Sequence, residues 1–157
     1  MQYYPTLVTL HIIFAGMWLI FFAADIVIKN QIKGTDNWQI KSKFISLYLI
    51  FTNLFGIVGS TGIAITGIII VILNPGYGFF DMSQAHWLAT KQILFVIILL
   101  NTFLRIIPKA KKLRTAIQKN DNDAAEEEFI SVAKINLLIN VLVILNFIFA
   151  ITHRFIG

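Results

Sequence analysis

Long apolar runs broken by short polar connections set the pattern of this chain. The runs extend from about Leu7 to Ile28, Phe44 to Leu73, His86 to Ile107 and Ile135 to Phe155. Each matches or exceeds the roughly 20 residues that a helix needs to cross a hydrocarbon layer. The pattern predicts four helices, over about 5–29, 43–73, 85–107 and 123–155. Short connections favour antiparallel neighbours, so the expected fold is all-α: a single integral membrane domain over 1–157, an up-down-up-down four-helix bundle.

Local signals agree with these boundaries. Pro5 suits a first helical turn, and Asn74-Pro75-Gly76-Tyr77-Gly78 is a turn that ends the second helix. Tyr3, Tyr4, Tyr77, Phe79, Phe80 and Trp87 would gather in one aromatic belt. After the basic run Lys109 to Lys119, Asp123 could cap a helix whose first turn carries Glu126, Glu127 and Glu128. That charged segment reads as a solvated helical hairpin without chemistry. In the second helix, Gly56, Ser60 and Ala64 follow the spacing that lets helix backbones approach closely. They could form a bundle seam, a homodimer contact, or room for a flat cofactor.

Composition narrows the class. Hydrophobic residues make up 57% of the chain and charged residues 13%, less charge than a soluble domain carries. The first run lacks a basic leader and a small-residue cleavage site, so a retained helix is expected rather than a signal peptide. Without cysteine there is no disulfide, no thiolate metal site and no covalent haem attachment. Ten of the thirteen lysines and arginines lie in or beside the first and third connections, and the second connection, Asn74 to Ala85, has none. By the positive-inside rule the first and third are cytoplasmic and both termini lie outside, in a multi-pass protein of a cell membrane such as a bacterial inner membrane. The basic excess is then topology plus attraction to the anionic lipid bilayer, and no nucleic-acid partner is expected.

The few polar residues inside the spans carry the functional question, because they are costly there. His11, Trp18 and Asp25 repeat every seven residues in the first helix, as do Lys91, Ile98 and Arg105 in the third. Each set lies along one helix face, and fourteen residues rise about 21 Å. With His11 and Lys91 at one level, Asp25 and Arg105 meet at the other end as a candidate ion pair, with Asn140 within reach. At the first level His11, His86, His153 and Lys91 share a similar depth. Imidazoles there can ligate iron, copper or zinc, and an amine can hold a porphyrin propionate.

His11-Ile12-Ile13 with Trp18, and Trp87-Leu88-Ala89-Thr90-Lys91 opening the third helix, together resemble the HemJ-type protoporphyrinogen oxidases. The chain also resembles the related four-helix modules grouped with copper-resistance protein D. The resemblance covers most of the first three helices. It implies a four-helix bundle with b-type haem, His11 as a haem ligand and Lys91 at the position of the family's lysine. In HemJ-type members it also implies oxidation of protoporphyrinogen IX. HemJ-type chains carry an arginine shortly after the first-helix tryptophan, where this chain has Asp25, and His153 has no counterpart.

The expectation is therefore a membrane redox protein that binds haem b through His11, with His86 or His153 as the other axial candidate, Trp18 alongside and Lys91 on a propionate or substrate carboxylate. It would transfer electrons or oxidise a hydrophobic substrate, a porphyrin or a quinone. The alternatives are a haem-free metal-handling or transport protein, whose metal ligands would be His11, His86 and His153, and a purely structural membrane subunit.

Overall fold

In the computed structural model, residues 3–156 are described, including the side chains of all but Gln84 and residues 153–156. The described chain is all-helical, and its four long helices form a bundle. They are α1 (Tyr4–Lys33), α2 (Trp38–Leu73), α3 (Ala85–Gln118) and α4 (Asn122–Ile156). All four are long and apolar enough to cross a membrane.

The connections end the helices by side-chain capping rather than by long loops. Asn37 accepts from the backbone N–H groups of Gln39 (2.9 Å) and Ile40 (3.3 Å), satisfying donors that the start of α2 leaves free. Asn74 accepts from Gly76 N (3.1 Å) in the turn after α2. The cap of α4 is Asp121, which accepts from Ala124 N at 3.1 Å, and not the expected Asp123, which lies inside the first turn. Asn120 just before it has φ 55°, a left-handed conformation that asparagine tolerates.

The helices outrun the apolar stretches that announce them. α1 continues to Lys33, α2 starts at Trp38, and α3 passes through Pro108 to Gln118. Hydropathy marks where lipid begins, and a helix need not stop there. Pro108 is accommodated because it follows a wide π-helical turn, Thr102–Ile106, near which the i→i−4 ladder is already interrupted. A second π-helical turn, Leu54–Gly59, lies inside α2.

α3 spans 34 residues and α4 spans 35, about 50 Å each, against roughly 30 Å of hydrocarbon. The surplus forms an antiparallel hairpin packed through Ala110, Leu113 and Ala116 on one side and Ala125, Phe129 and Val132 on the other. Lys41–Glu126 (2.7 Å) and Lys109–Glu128 (3.4 Å) pair charges around it, and the first ties α2 to α4.

α1 packs mainly on α2, and α3 mainly on α4, so the bundle is two hairpins side by side. Between hairpins, contact runs chiefly through α1 with α4 and through the basic ends of α2 and α3. The buried residues follow suit. α1 buries Trp18, Phe21, Asp25, Ile28 and Ile32 but, among its described residues, none before Trp18. α4 buries residues up to Val143 and, among those described, none beyond. The bundle is therefore closed at the end with the basic connections and loosely joined at the end with the histidines. Ile12, Ile13, Ile20, Ile72 and Leu104 are among many large side chains left on the outside, the arrangement expected when the solvent is lipid.

The close seam between α1 and α2 is made by glycines other than the expected Gly56. A Cβ at Gly56 would meet nothing within 4 Å, whereas one at Gly59 would touch Phe14 O and Trp18 at 3.6 Å. One at Gly62 would collide with the Phe14 ring, and one at Gly67 would meet His11 Cε1 at 3.3 Å. The small residues at 59, 62 and 67 let α1 lie against α2, and they set the depth at which His11 meets it.

Candidate functional site

At the histidine end the imidazole of His11 is half-buried against α2, and its Nδ1 is 2.8 Å from Thr66 Oγ1. Thr66 Oγ1 is in turn 2.6 Å from the carbonyl of Gly62, one helical turn back, to which it donates its only proton. The hydroxyl must then accept from His11 Nδ1–H. This fixes the tautomer and leaves the lone pair on Nε2, which has no hydrogen-bond partner among the described residues. A histidine held through one nitrogen with the other free is the form that proteins use to present a metal ligand.

Lys91 stands in the first turns of α3. Its ammonium lies 5.5 Å from the centroid of the Trp87 ring, which packs edge-on to Tyr77 at 5.9 Å. Asn146 Nδ2 donates to the Lys91 carbonyl at 3.3 Å, while Asn146 Oδ1 is buried without a partner among the described residues. Trp18 is buried below His11 on the same face of α1, beside Gly59 and 6.2 Å from the Phe95 ring.

His86 is not assembled with it. It is exposed at the start of α3, where its carbonyl accepts from Thr90 Oγ1 at 2.8 Å. The side chain of His153 lies outside the described residues. Among the described residues no group of three or more His, Cys, Asp or Glu side chains comes together to hold a metal ion. The expected trio of His11, His86 and His153 is thus not seen among the described side chains, and His11 stands as a single presented ligand.

At the basic end, Asp25 and Arg105 do not pair. Asp25 is 2% exposed, and its Oδ2 accepts from Lys29 Nζ at 2.6 Å, one helical turn along α1. Its Oδ1 accepts from the Tyr48 hydroxyl at 2.7 Å. Arg105 points outward and donates to Asn101 Oδ1 at 3.0 Å. The physical reason is reach: Lys29 on the same helix neutralises the carboxylate without crossing the bundle, and Arg105 extends past the apolar layer instead. The Tyr48 oxygen also accepts from Asn136 Nδ2 (2.8 Å), which lies 3.1 Å from Thr52 Oγ1 as well.

This network joins α1, α2 and α4, and sequence reasoning missed most of it. The offset of four between Asp25 and Lys29 was a usable signal. Tyr48 and Asn136, 88 residues apart, carry no local signal that they meet. Asn140, one turn beyond Asn136, does reach the neighbourhood of this layer, but its Nδ2 is buried and unpartnered.

Compared with family models, with curated proteins and with solved structures, the chain matches none.

Proposed function

We propose that the protein is a multi-pass membrane redox protein that binds b-type haem at the histidine end, with its basic end facing the cytoplasm. The orientation rests on the lysines and arginines of the first and third connections. The observation that carries the haem reading is His11, fixed through Nδ1 by Thr66 with Nε2 left as a free lone pair. A porphyrin brings four nitrogen ligands of its own and needs as few as one from the protein. A single presented imidazole therefore suits haem better than it suits a bare cation, for which no protein ligand group is assembled among the described residues. The loose join between the hairpins favours a flat, apolar guest there.

Each residue then has a task. His11 is the axial ligand, and Thr66 is a positioning residue that holds the ring angle. Lys91, held near the aromatic pair Trp87 and Tyr77, neutralises a propionate or the carboxylate of a substrate. Trp18 closes the floor of the site toward the centre of the bundle. The haem would supply reversible one-electron redox chemistry, and the helices set its ligand and its dielectric. Electron transfer, or oxidation of a hydrophobic porphyrinogen or quinol, is the activity that such a site would serve. The resemblance of the His11–Trp18 and Trp87–Lys91 segments to HemJ-type oxidases points the same way.

The test is a reduced-minus-oxidised visible spectrum of the detergent-purified protein, repeated for His11→Ala and Thr66→Val. A Soret band that shifts on reduction, is lost in His11→Ala and moves in Thr66→Val supports the assignment. A colourless protein after expression with added haem, or a band indifferent to His11→Ala, overturns it.

A further inference from the structure

Near the middle of the bundle, above the Asp25–Tyr48 network, lies a cavity of about 10 Å³. Its polar lining is Thr52 from α2, Thr102 from α3, and Asn136 and Asn140 from α4; Trp18 and Gly56 are among its apolar lining. Both π-helical turns contribute to it, the one in α2 through Gly56 and the one in α3 through Thr102 and Ile106. Two wide turns beside one small cavity are unusual, since such turns are rare and tend to accompany functional sites.

The two asparagines are each 2% exposed, yet the hydrogen bonding of Asn140 is incomplete. Asn136 spends its Nδ2 on Tyr48 and Thr52. Asn140 Nδ2 is buried and has no partner among the described residues. An unpaired amide at the depth of a bilayer core is too costly to leave unmet.

We infer that this cavity binds one internal water molecule. The volume is what a single water requires, and the lining offers the two to four polar partners that hold one. Water is the fitting chemistry because Asn140 Nδ2 needs an acceptor, and a water that accepts from it can donate to the neighbouring threonine and asparagine oxygens. A cation would be repelled by the Asn140 N–H, and the nearby carboxylate of Asp25 is already committed to Lys29 and Tyr48. An apolar molecule would be too large and would leave that amide unpaired. The water bridges the two hairpins, since Thr52 belongs to one and Asn136, Asn140 and Thr102 to the other. It extends the hydrogen-bonded chain that begins with Lys29 into the centre of the membrane span.

Water-edited solid-state NMR of the full chain, labelled with ¹⁵N-asparagine in perdeuterated lipid bilayers, tests this. The expected result is transfer from water to the Asn140 side-chain amide, weakened in Thr102→Val, which removes a polar group from the cavity wall at nearly constant volume. The exposed Asn120 provides the reference signal, unchanged in the variant if the fold is kept. No transfer to Asn140 in the wild-type protein, with Asn120 responding, overturns the inference without recourse to any variant. So does transfer that persists unchanged in a folded Thr102→Val. Neither outcome touches haem binding, which is read from the visible spectrum.

Discussion

Asp25 shows how a single buried charge is settled in hydrocarbon. Its two oxygens are taken by Lys29 and Tyr48, and the lysine, with its side chain 19% exposed, keeps contact with the interface. Tyr48→Phe removes the donor to Oδ1 and the acceptor for Asn136, and leaves both groups buried. A loss of about 1–3 kcal/mol is expected in reversible unfolding from detergent or bicelles. Arg105→Ala should change stability by no more than about 0.5 kcal/mol, because Arg105 is on the exposed side and its partner among the described residues is Asn101. Equal losses in the two variants would mean that Asp25 is neutralised across the bundle after all. The charge at position 25 was legible in the sequence, and its partner was within reach of a rule: four residues on, one turn along. Lys29 was passed over because the apolar run ends at Ile28, and a lysine just after it reads as loop. Tyr48 and Asn136 could not have been found that way, since a tyrosine in an apolar run signals nothing until its neighbours are known.

At the level of the element, four spans are plain from hydropathy while the ends and the interior of each helix are not. Hydropathy reports solvent, so the polar continuations of α2 and α3 were hidden from it. The π-helical turns were hidden as well, because widening a turn alters the backbone ladder without requiring a particular residue. The glycine spacing was read correctly as a signal of close approach but at the wrong positions; which of six small residues face α1 depends on the rotation that the turn at Leu54–Gly59 introduces. Two alanine substitutions separate the cases. Gly16→Ala, whose Cβ meets nothing within 4 Å, should raise stability by up to about 1 kcal/mol through helix propensity. Gly62→Ala should lower it by about 1–3 kcal/mol, since Phe14 must leave its place. Gly67→Ala brings a methyl against His11 Cε1 and should turn the ring by a small angle. In the haem-loaded protein, a shifted Soret maximum with the cofactor retained is the expected reading. An unaltered spectrum would mean that Gly67 does not set the imidazole.

For the whole molecule, the proposed orientation rests on the charge distribution alone, because the architecture of the bundle is indifferent to sides. The chain has no cysteine, so single cysteines report topology without background. Gly76→Cys, in the exposed turn after α2, and Asn120→Cys, in the exposed turn before α4, should react with an impermeant maleimide from opposite faces of the membrane. Asn120→Cys is expected to be shielded in intact cells and to become reactive only in inverted vesicles. Reaction of both from one face would contradict four spans.

The uneven join between the hairpins has a consequence in time as well as in space. Backbone amides are released to exchange where few buried side chains hold the helices together, and they are protected where many do. Protection should therefore be graded along every helix, strongest around Ile45, Leu113 and Val132 and weakest toward Tyr4 and Thr152. A molecule that seats itself between the hairpins beside His11 would flatten that gradient from the weak end. It would do so without altering the amides around Leu113, which already lie in the most tightly packed part of the fold. Deuterium uptake along the chain would thus register a guest by where the slowing falls.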